Sequence, residues 1–216
     1  MNVDRKKSAQ FDKKTEILAV SVPMFATYGY NKVTIRDIGA AAGMTSAALY
    51  YHFQDKQTLY REALKFSFQS KAEITHAILS SQGTPEERLA AFIERYTQLL
   101  ADDPDFRRVM QRELLDGDEE SVGMLSELFQ QPFDELAAIV EVLAPATDIH
   151  MVIMSIIAMI LYHYEVGPLR RMLPGAKPEH EDYRTLATHI KRLIFSMLEK
   201  EVPADLPTTT VPTALG

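Results

Sequence analysis

The stretch from Thr34 to Lys56 limits the possible folds more than any other part of the chain, and it reads TIRDIGAAAGMTSAALYYHFQDK. Thr34 and Asp37 stand three residues apart, which is the spacing of a helix capping box. Gly43 marks the end of this first helix, because glycine adopts left-handed dihedral angles at little cost. Thr45 is placed to cap a second short helix. The stretch therefore predicts a helix-turn-helix.

The second helix of this motif is predicted to have two unlike faces. Leu49 and Phe53 lie four residues apart and share the side that packs against the first helix. The opposite side carries Ser46, Ala47, Tyr50 and Tyr51. A short helix with small residues at its start and polar aromatic residues behind them fits the major groove of DNA.

The segment from Thr15 to Leu64 resembles the DNA-binding domain of the tetracycline-repressor (TetR) family of transcription regulators. The matching features are the run ILAVSVPMFATYGYNKVTIRDIGAAAG, the block L-Y-Y-H-F and Lys56 at the start of the next helix. The resemblance implies an all-α fold, with an N-terminal three-helix helix-turn-helix domain and a C-terminal helical ligand-binding and dimerisation domain. Pro23 departs from the family pattern, which more often has an ordinary helix former there, and is expected to bend the first helix.

Three parts are expected along the chain. Residues 1–55 form the DNA-binding domain with a basic N-terminal arm, and residues 56–201 form the helical ligand-binding and dimerisation domain. Residues 202–216 are expected to be a disordered tail, because PADLPTTTVPTALG has no periodicity. The arm residues Arg5, Lys6 and Lys7 either reach a minor groove or phosphates, or remain solvated.

The charge of the chain is divided unevenly. Residues 1–65 contain ten Lys or Arg against six Asp or Glu, whereas residues 66–216 contain thirteen against twenty-four. The basic excess coincides with the helix-turn-helix, as phosphate binding requires. Taken alone, such an excess is equally typical of an ordinary protein surface. Beside the motif, it favours a single DNA-binding face on an otherwise acidic protein.

The contacts with DNA can be assigned residue by residue. Thr34 and Thr45 cap helix ends that favour a phosphate, and Lys56 supplies a point charge for the backbone. The resemblance implies phosphate contacts for Tyr51 and His52, which could instead pack against the following helix. By elimination, the bases are read by Arg36, Ser46, Ala47 and Tyr50. Because these side chains are mostly small, DNA shape is expected to contribute to specificity.

Apolar residues at helical spacing predict a fold made entirely of helices. Besides the two short helices of the helix-turn-helix, the predicted helices cover about residues 13–28, 55–80, 84–100, 103–117, 119–143, 148–166 and 181–199. Pro132 predicts a break in the helix over 119–143. The three prolines and two glycines of Gly167–Pro178 predict a loop.

The helix over 148–166 is apolar nearly all round and must be covered on more than one side. Its two faces carry Ile149, Ile153, Ile156 and Ile160 on one, and Met151, Met154, Ala158 and Leu161 on the other. A monomeric bundle would cover both faces within one chain, whereas TetR-like proteins dimerise through their last two long helices. We predict a homodimer whose interface contains Ile153, Ile157, Ile160, Leu186, Ile190, Leu193, Ile194 and Met197.

The resemblance also implies that an inducer lies among the middle helices, against the long helix that leads to the DNA-binding domain. The candidate contacts, which are also ordinary core residues, are Phe92, Tyr96, Met110, Phe129 and Phe133, with His76 and Arg112 as polar anchors. Ten methionines and ten phenylalanines favour an adaptable interior and a largely apolar molecule.

No pattern of catalytic or metal-binding residues is complete. Glu73 and His76 have the spacing of a di-iron ligand pair, but the chain contains no second such pair. The segment Asp116–Glu120 lacks the later ligand positions of a calcium loop, and the chain has no cysteine. We expect no enzyme activity, no cofactor and no metal.

The chain is not expected to associate with a membrane. The longest apolar stretch, Met151–Tyr162, is too short to span a bilayer. No basic segment followed by an apolar one opens the sequence, so a cytoplasmic location is expected.

The sequence therefore predicts a ligand-responsive DNA-binding transcriptional regulator. The favoured form is a repressor that binds a palindromic operator as a dimer and is released by a small, largely apolar molecule. One alternative is a helical enzyme or carrier whose helix-turn-helix is structural, and this predicts no salt-dependent DNA affinity. Another is an architectural DNA binder without a ligand, which predicts binding with little sequence preference.

Overall fold

A computed structural model describes residues 2–198, with side chains from Lys13 onward. The α-helices in this range are α1 (Asn2–Lys32), α2 (Ile35–Ala41), α3 (Ser46–His52), α4 (Lys56–Leu79), α5 (Pro85–Asp102), α6 (Pro104–Asp116), α7 (Glu119–Leu143), α8 (Ile149–Glu165), α9 (Gly167–Arg170) and α10 (Tyr183–Leu198), with a 3-10 turn at Pro178–Glu181. The all-α prediction is confirmed. The predicted disordered tail and the side chains of the basic arm lie outside the described residues.

The first helix is longer than predicted. It begins at Asn2 and continues through Pro23. Its helical geometry is interrupted at Gly29, where φ is 76° and ψ is 165°. Across the residues that the structure describes, no helix has both the length and the apolar content needed to cross a membrane.

Side-chain caps explain why most helices begin where the sequence predicts. Thr84 and Glu87 form a reciprocal capping box at the start of α5, with Thr84 N donating to the Glu87 carboxylate at 2.9 Å. Asp103, Asp118 and Asp148 each accept a hydrogen bond from a main-chain N–H in the first turn of α6, α7 and α8. These contacts satisfy donors that a helix end otherwise leaves free.

Two apolar clusters divide the chain into a head and a body. The head cluster joins α1, α2, α3 and the start of α4, and contains Ile17, Leu18, Phe25, Val33, Ile35, Ile38, Leu49, Phe53, Leu59 and Ala63. The body cluster joins α4, α5, α6, α7, α8 and α10, and it also contains Ala26 of α1. Helices α1 and α4 both contribute to both clusters, so the two helices together connect the head to the body.

One prediction about chain breaks is wrong, and another is wrong for only part of its range. Helix α7 runs unbroken from Glu119 to Leu143 although it contains Pro132. Proline removes only one backbone hydrogen bond, and the buried position of Pro132 offsets that loss with apolar contact. The predicted loop at 167–178 is confirmed over residues 171–177. Its first four residues instead form α9, because Pro168 occupies the first turn of a helix, where its ring is tolerated.

The predicted dimer interface requires correction for five of its eight residues. Ile153, Ile160, Leu186, Ile190 and Ile194 belong to the core of the single chain, each 6% exposed or less. Sequence spacing shows that α8 has two apolar faces, but tertiary packing decides which one turns inward. Ile157 is half-buried.

The outer faces of α8 and α10 carry apolar residues that the single chain leaves exposed. Leu193 and Met197 are 41% and 52% exposed on α10. On α8, Met151, Met154 and Tyr162 are 60%, 39% and 66% exposed. We call these five residues the outer seam. It is the surface on these two helices that another molecule could cover.

Candidate nucleic-acid interface

The N-terminus of α2 is fixed by a reciprocal contact between Thr34 and Asp37. Asp37 N donates to Thr34 Oγ1 at 3.2 Å, and Thr34 N donates to Asp37 Oδ2 at 3.0 Å. The Thr34 hydroxyl also donates to Asp37 Oδ2 at 2.6 Å. This hydroxyl bond, together with the main-chain bond, lowers the pKa of Asp37. The first turn of α2 is therefore held in place at an exposed position.

The turn between α2 and α3 depends on two glycines. Gly43 has a φ of 65°, which a side chain would strain. Gly39 lets the turn approach closely, and Met44 N donates to Gly39 O at 2.8 Å. A Cβ atom on Gly39 would lie 2.8 Å from Met44 O and 3.1 Å from Leu49 Cδ1. Sequence reasoning missed Gly39, although a glycine inside a short alanine-rich helix signals a close backbone approach.

Helix α3 presents an open face, as the sequence predicts. Thr45 Oγ1 accepts a hydrogen bond from Ala48 N at 3.2 Å and so caps the helix. Leu49 and Phe53 are 1% and 2% exposed in the head cluster. The predicted base-reading residues Ala47 and Tyr50 on α3 and Arg36 on α2 are exposed, and Ser46 is partly exposed.

The three residues assigned to phosphates at the end of α3 and the start of α4 lie in different surroundings. Tyr51 is 74% exposed, whereas His52 is half-buried with its ring edge-on to Tyr51 at 5.4 Å. Lys56 Nζ lies 4.1 Å from the centre of the Tyr30 ring, and burial lowers the pKa of Lys56. The ammonium group is thus held at the head by a cation–π contact.

Polar contacts join the head to the body. The Tyr60 hydroxyl on α4 donates to the Glu113 carboxylate on α6. Arg112 donates to Ala26 O and Thr27 O at the end of α1, at 3.3 Å in each case. The structure thus places Arg112 at this boundary, apart from the other candidate ligand contacts. Sequence reasoning missed this junction, because its partners are far apart along the chain.

The other candidate ligand contacts lie in the body. The Phe92 and Tyr96 rings stack with centroids 5.4 Å apart on α5, and both are buried. Burial raises the pKa of Tyr96 to about 12, so its hydroxyl stays neutral. Met110 on α6 is buried, and Phe129 and Phe133 on α7 are partly buried. All five pack in or against the body cluster.

His76 provides a polar group at the edge of this region. Its Nδ1 lies 2.6 Å from Glu135 Oε1, which joins α4 to α7. Gln131 Nε2 lies 3.1 Å from the same nitrogen. Within residues 13–198, no three acidic or histidine side chains gather as a metal site would require.

Two sequence profiles match different parts of the chain. Residues 17–63 match the profile of bacterial regulatory proteins of the tetR family. Residues 85–199, more than half of the chain, match that of the C-terminal domain of the HTH-type transcriptional dual regulator CecR.

Curated relatives share the head region. The HTH-type transcriptional repressor KstR2 of Rhodococcus jostii (strain RHA1) is 38% identical over 58 residues, which cover 27% of this chain and 28% of that protein. The probable acrEF/envCD operon repressor of Escherichia coli (strain K12) is 34% identical over 58 residues, covering 27% of this chain and 26% of that protein. The chain thus spans under a third of the length of these two relatives.

Solved structures share the fold over most of the chain. The transcriptional regulator FadR from Bacillus subtilis, in complex with stearoyl-CoA, superposes with a TM-score of 0.68 at 20% identity, covering 84% of this chain and 97% of that one. AibR, in complex with isovaleryl coenzyme A and operator DNA, gives a TM-score of 0.69 at 19% identity, covering 85% and 98%. At these identities the likeness shows the fold alone.

Proposed function

Because the chain belongs to the TetR family of bacterial regulatory proteins, with a C-terminal domain of the CecR type, we propose that it is a ligand-responsive transcriptional repressor. It binds a palindromic operator as a homodimer, and a small, largely apolar molecule releases it. It acts as a DNA-binding regulator in the cytoplasm, where bacterial DNA lies, and not as an enzyme.

The open face of α3 is the observation that carries this proposal. Leu49 and Phe53 anchor one side of the helix in the head cluster, which leaves Ala47, Tyr50 and Tyr51 outward. The N-termini of α2 and α3 are capped by the exposed residues Thr34 and Thr45, and helix N-termini favour phosphate groups. The charge excess of the head has the sign that DNA requires.

The outer seam supports the homodimer. Its five apolar residues are between 39% and 66% exposed in the single chain, and a second copy packed on them would remove this apolar surface from water. A two-fold axis would let each seam meet its own copy. Two heads would then read successive major grooves, about 34–36 Å apart, on an inverted repeat.

The body supports an apolar effector. Phe92, Tyr96 and Met110 are buried beside α4, and Phe129 and Phe133 continue the same region along α7. The polar group of the effector would meet His76 at the α4–α7 junction. FadR and AibR, which share the fold, were solved with CoA thioesters of a long and a short acyl chain. We therefore propose an effector that carries an acyl chain.

Binding to the DNA that flanks the gene for this protein tests the function directly. We expect the protein to prefer this DNA over scrambled DNA, and its affinity to fall steeply between two salt concentrations. Equal affinity for both DNAs would favour an architectural binder. No salt-dependent binding would favour a helical enzyme or carrier. Addition of a fatty acid, alone or as its CoA thioester, at several chain lengths should then release the DNA.

Lys56→Met should weaken binding to operator and random DNA alike. The variant keeps an unbranched side chain but removes the ammonium group, which lies over the Tyr30 ring, so the slope of log affinity against log salt should flatten by about one unit. Lys191→Met, which removes a charge from the body where Lys191 pairs with Glu94, is the matched control. If affinity for the operator falls while affinity for random DNA is unchanged, Lys56 does not contact phosphates.

Arg36→Ala should relax the sequence preference at a symmetric pair of operator positions. A bidentate contact between an arginine and a guanine contributes about 1–3 kcal/mol of discrimination. Binding to a set of single-base operator variants measures this preference. A uniform loss across all the variants would instead assign Arg36 to the phosphates.

A further inference from the structure

Three large apolar side chains stand exposed on the segment that joins α8 to α10. We call residues 167–177, which comprise α9 and the turn after it, the connector. Leu169, Met172 and Leu173 are 59%, 85% and 53% exposed, and Met172 is the most exposed large apolar side chain among those that the structure describes. Single exposed apolar residues are common on protein surfaces, but three within five positions are typical of a contact surface.

The connector has a defined backbone that holds these side chains together. Met172 N donates to Leu169 O at 2.9 Å. Leu173 N donates to Arg170 O at 3.2 Å, so the helical turn continues past the end of α9. Residues three and four positions apart share one side of such a turn. The three apolar side chains are therefore presented to the surroundings as one group.

The basic side chains of the connector are already paired. Arg170 and Arg171 both donate to Glu181 of the 3-10 turn, at 2.9 Å and 3.2 Å. Lys177 Nζ lies 3.8 Å from Glu179 Oε1. Nucleic acids and acidic membranes attract basic side chains that are free to meet phosphate groups. Because these three are engaged with carboxylates, the connector favours a partner that covers apolar surface.

The position of the connector indicates which molecule covers it. It leads from the C-terminal end of α8 to the 3-10 turn before α10, and α8 and α10 are the two helices that carry the outer seam. Tyr162 of the outer seam lies in the last turn of α8, next to the connector along the chain, and is 66% exposed. A second copy packed on the seam about a two-fold axis would therefore lie beside the connector.

We propose that Leu169, Met172 and Leu173 pack against a second copy of this chain and extend the homodimer interface beyond the outer seam. This contact depends on the proposed homodimer, to which it adds a second surface. A two-fold axis forms the contact twice, once from each subunit. Removal of the six side chains from water then stabilises the dimer.

Met172→Glu measures how much the contact contributes to the dimer. The variant should raise the dissociation constant of the dimer at least about tenfold in sedimentation equilibrium, because it would bury an unpaired charge at the interface. Its circular dichroism spectrum should stay unchanged, since Met172 is 85% exposed in the single chain. Ala176→Glu adds the same charge to another exposed position of the connector and is the matched control. An unchanged dissociation constant for Met172→Glu, or equal weakening in the two variants, would refute the contact.

Oxidation of the unmodified protein by hydrogen peroxide, followed by peptide mapping, tests the contact without any substitution. Methionine oxidises more slowly when its thioether is covered. Above the dissociation constant of the dimer, Met172 of the connector and Met151 of the outer seam should oxidise at least about fivefold more slowly than below it. Met44, which is partly exposed and packs against the head cluster, should react at the same rate at both concentrations.

The two methionines separate the contact from the homodimer itself. Protection of both Met151 and Met172 supports the contact. If Met151 is protected while Met172 reacts equally fast at both concentrations, the dimer forms through the outer seam and the connector stays open to a different partner, which overturns the proposal. If neither methionine is protected, the homodimer proposed through the outer seam fails, and the contact fails with it.

Discussion

Gly39→Ala is expected to disrupt the helix-turn-helix and to abolish specific operator binding. The new methyl group would lie 2.8 Å from Met44 O, a backbone atom that cannot swing aside, and 3.1 Å from Leu49 Cδ1. Overpacking of this kind costs about 1–3 kcal/mol. The head can relieve it only by moving α3 away from α2, which displaces the side chains that read the bases. Operator affinity should fall at least about tenfold, as measured by fluorescence anisotropy.

Gly123→Ala is the matched control for this prediction. Gly123 lies inside α7, and a Cβ atom there would meet nothing within 4 Å. Alanine should therefore stabilise the body by up to about 1 kcal/mol through its helix propensity and leave DNA binding unchanged. If Gly39→Ala retains full operator affinity and stability, then α2 and the turn can move apart enough to accept a side chain at residue 39 without disturbing α3.

The head could be predicted from sequence because its signals are local. Thr34 and Asp37 cap α2 from within four residues, and Thr45 caps α3 in the same way. Leu49 and Phe53 define the buried side of α3 by spacing alone. Each of these interactions joins residues that are neighbours along the chain, so no knowledge of the tertiary fold was needed.

Predictions that depended on tertiary packing were less accurate. Pro132 predicts a break when α7 is considered alone, yet burial of Pro132 keeps the helix continuous. The two faces of α8 could be predicted, but not which one meets the core of the same chain. The Tyr60–Glu113 and Arg112 contacts join residues more than fifty positions apart, and no sequence pattern marks them.

The structure also separates the two polar anchors that the sequence placed together. His76 remains at the α4–α7 junction, beside the aromatic residues of α5 and α7. Arg112 instead binds the end of α1. His76 and Arg112 are both polar residues on helices of the body, α4 and α6, so the sequence alone could not show that they point to different places. The proposed effector contacts therefore rest on His76 and the five apolar residues.

Ile190→Glu and Leu193→Glu should have different effects, although both place a charge on α10. Ile190 is fully buried in the body cluster, so a charge there should cost on the order of 5 kcal/mol and unfold the body. Leu193 is 41% exposed on the outer seam, so its substitution should keep the fold and separate the subunits. Circular dichroism measures the unfolding expected of Ile190→Glu. Light scattering at micromolar concentration measures the separation of subunits expected of Leu193→Glu.

Loss of the dimer in Leu193→Glu should lower operator affinity steeply. A monomer loses the contribution of the second half-site, which raises affinity by about a hundredfold or more when both sites are engaged. Ser126→Glu adds the same charge to an exposed position on α7 and should leave the mass and the affinity unchanged. A monomeric unmodified protein, or a Leu193→Glu protein that remains dimeric, would place the interface on another face. An Ile190→Glu protein that stays folded would show that α10 is free to rotate its inner face toward solvent.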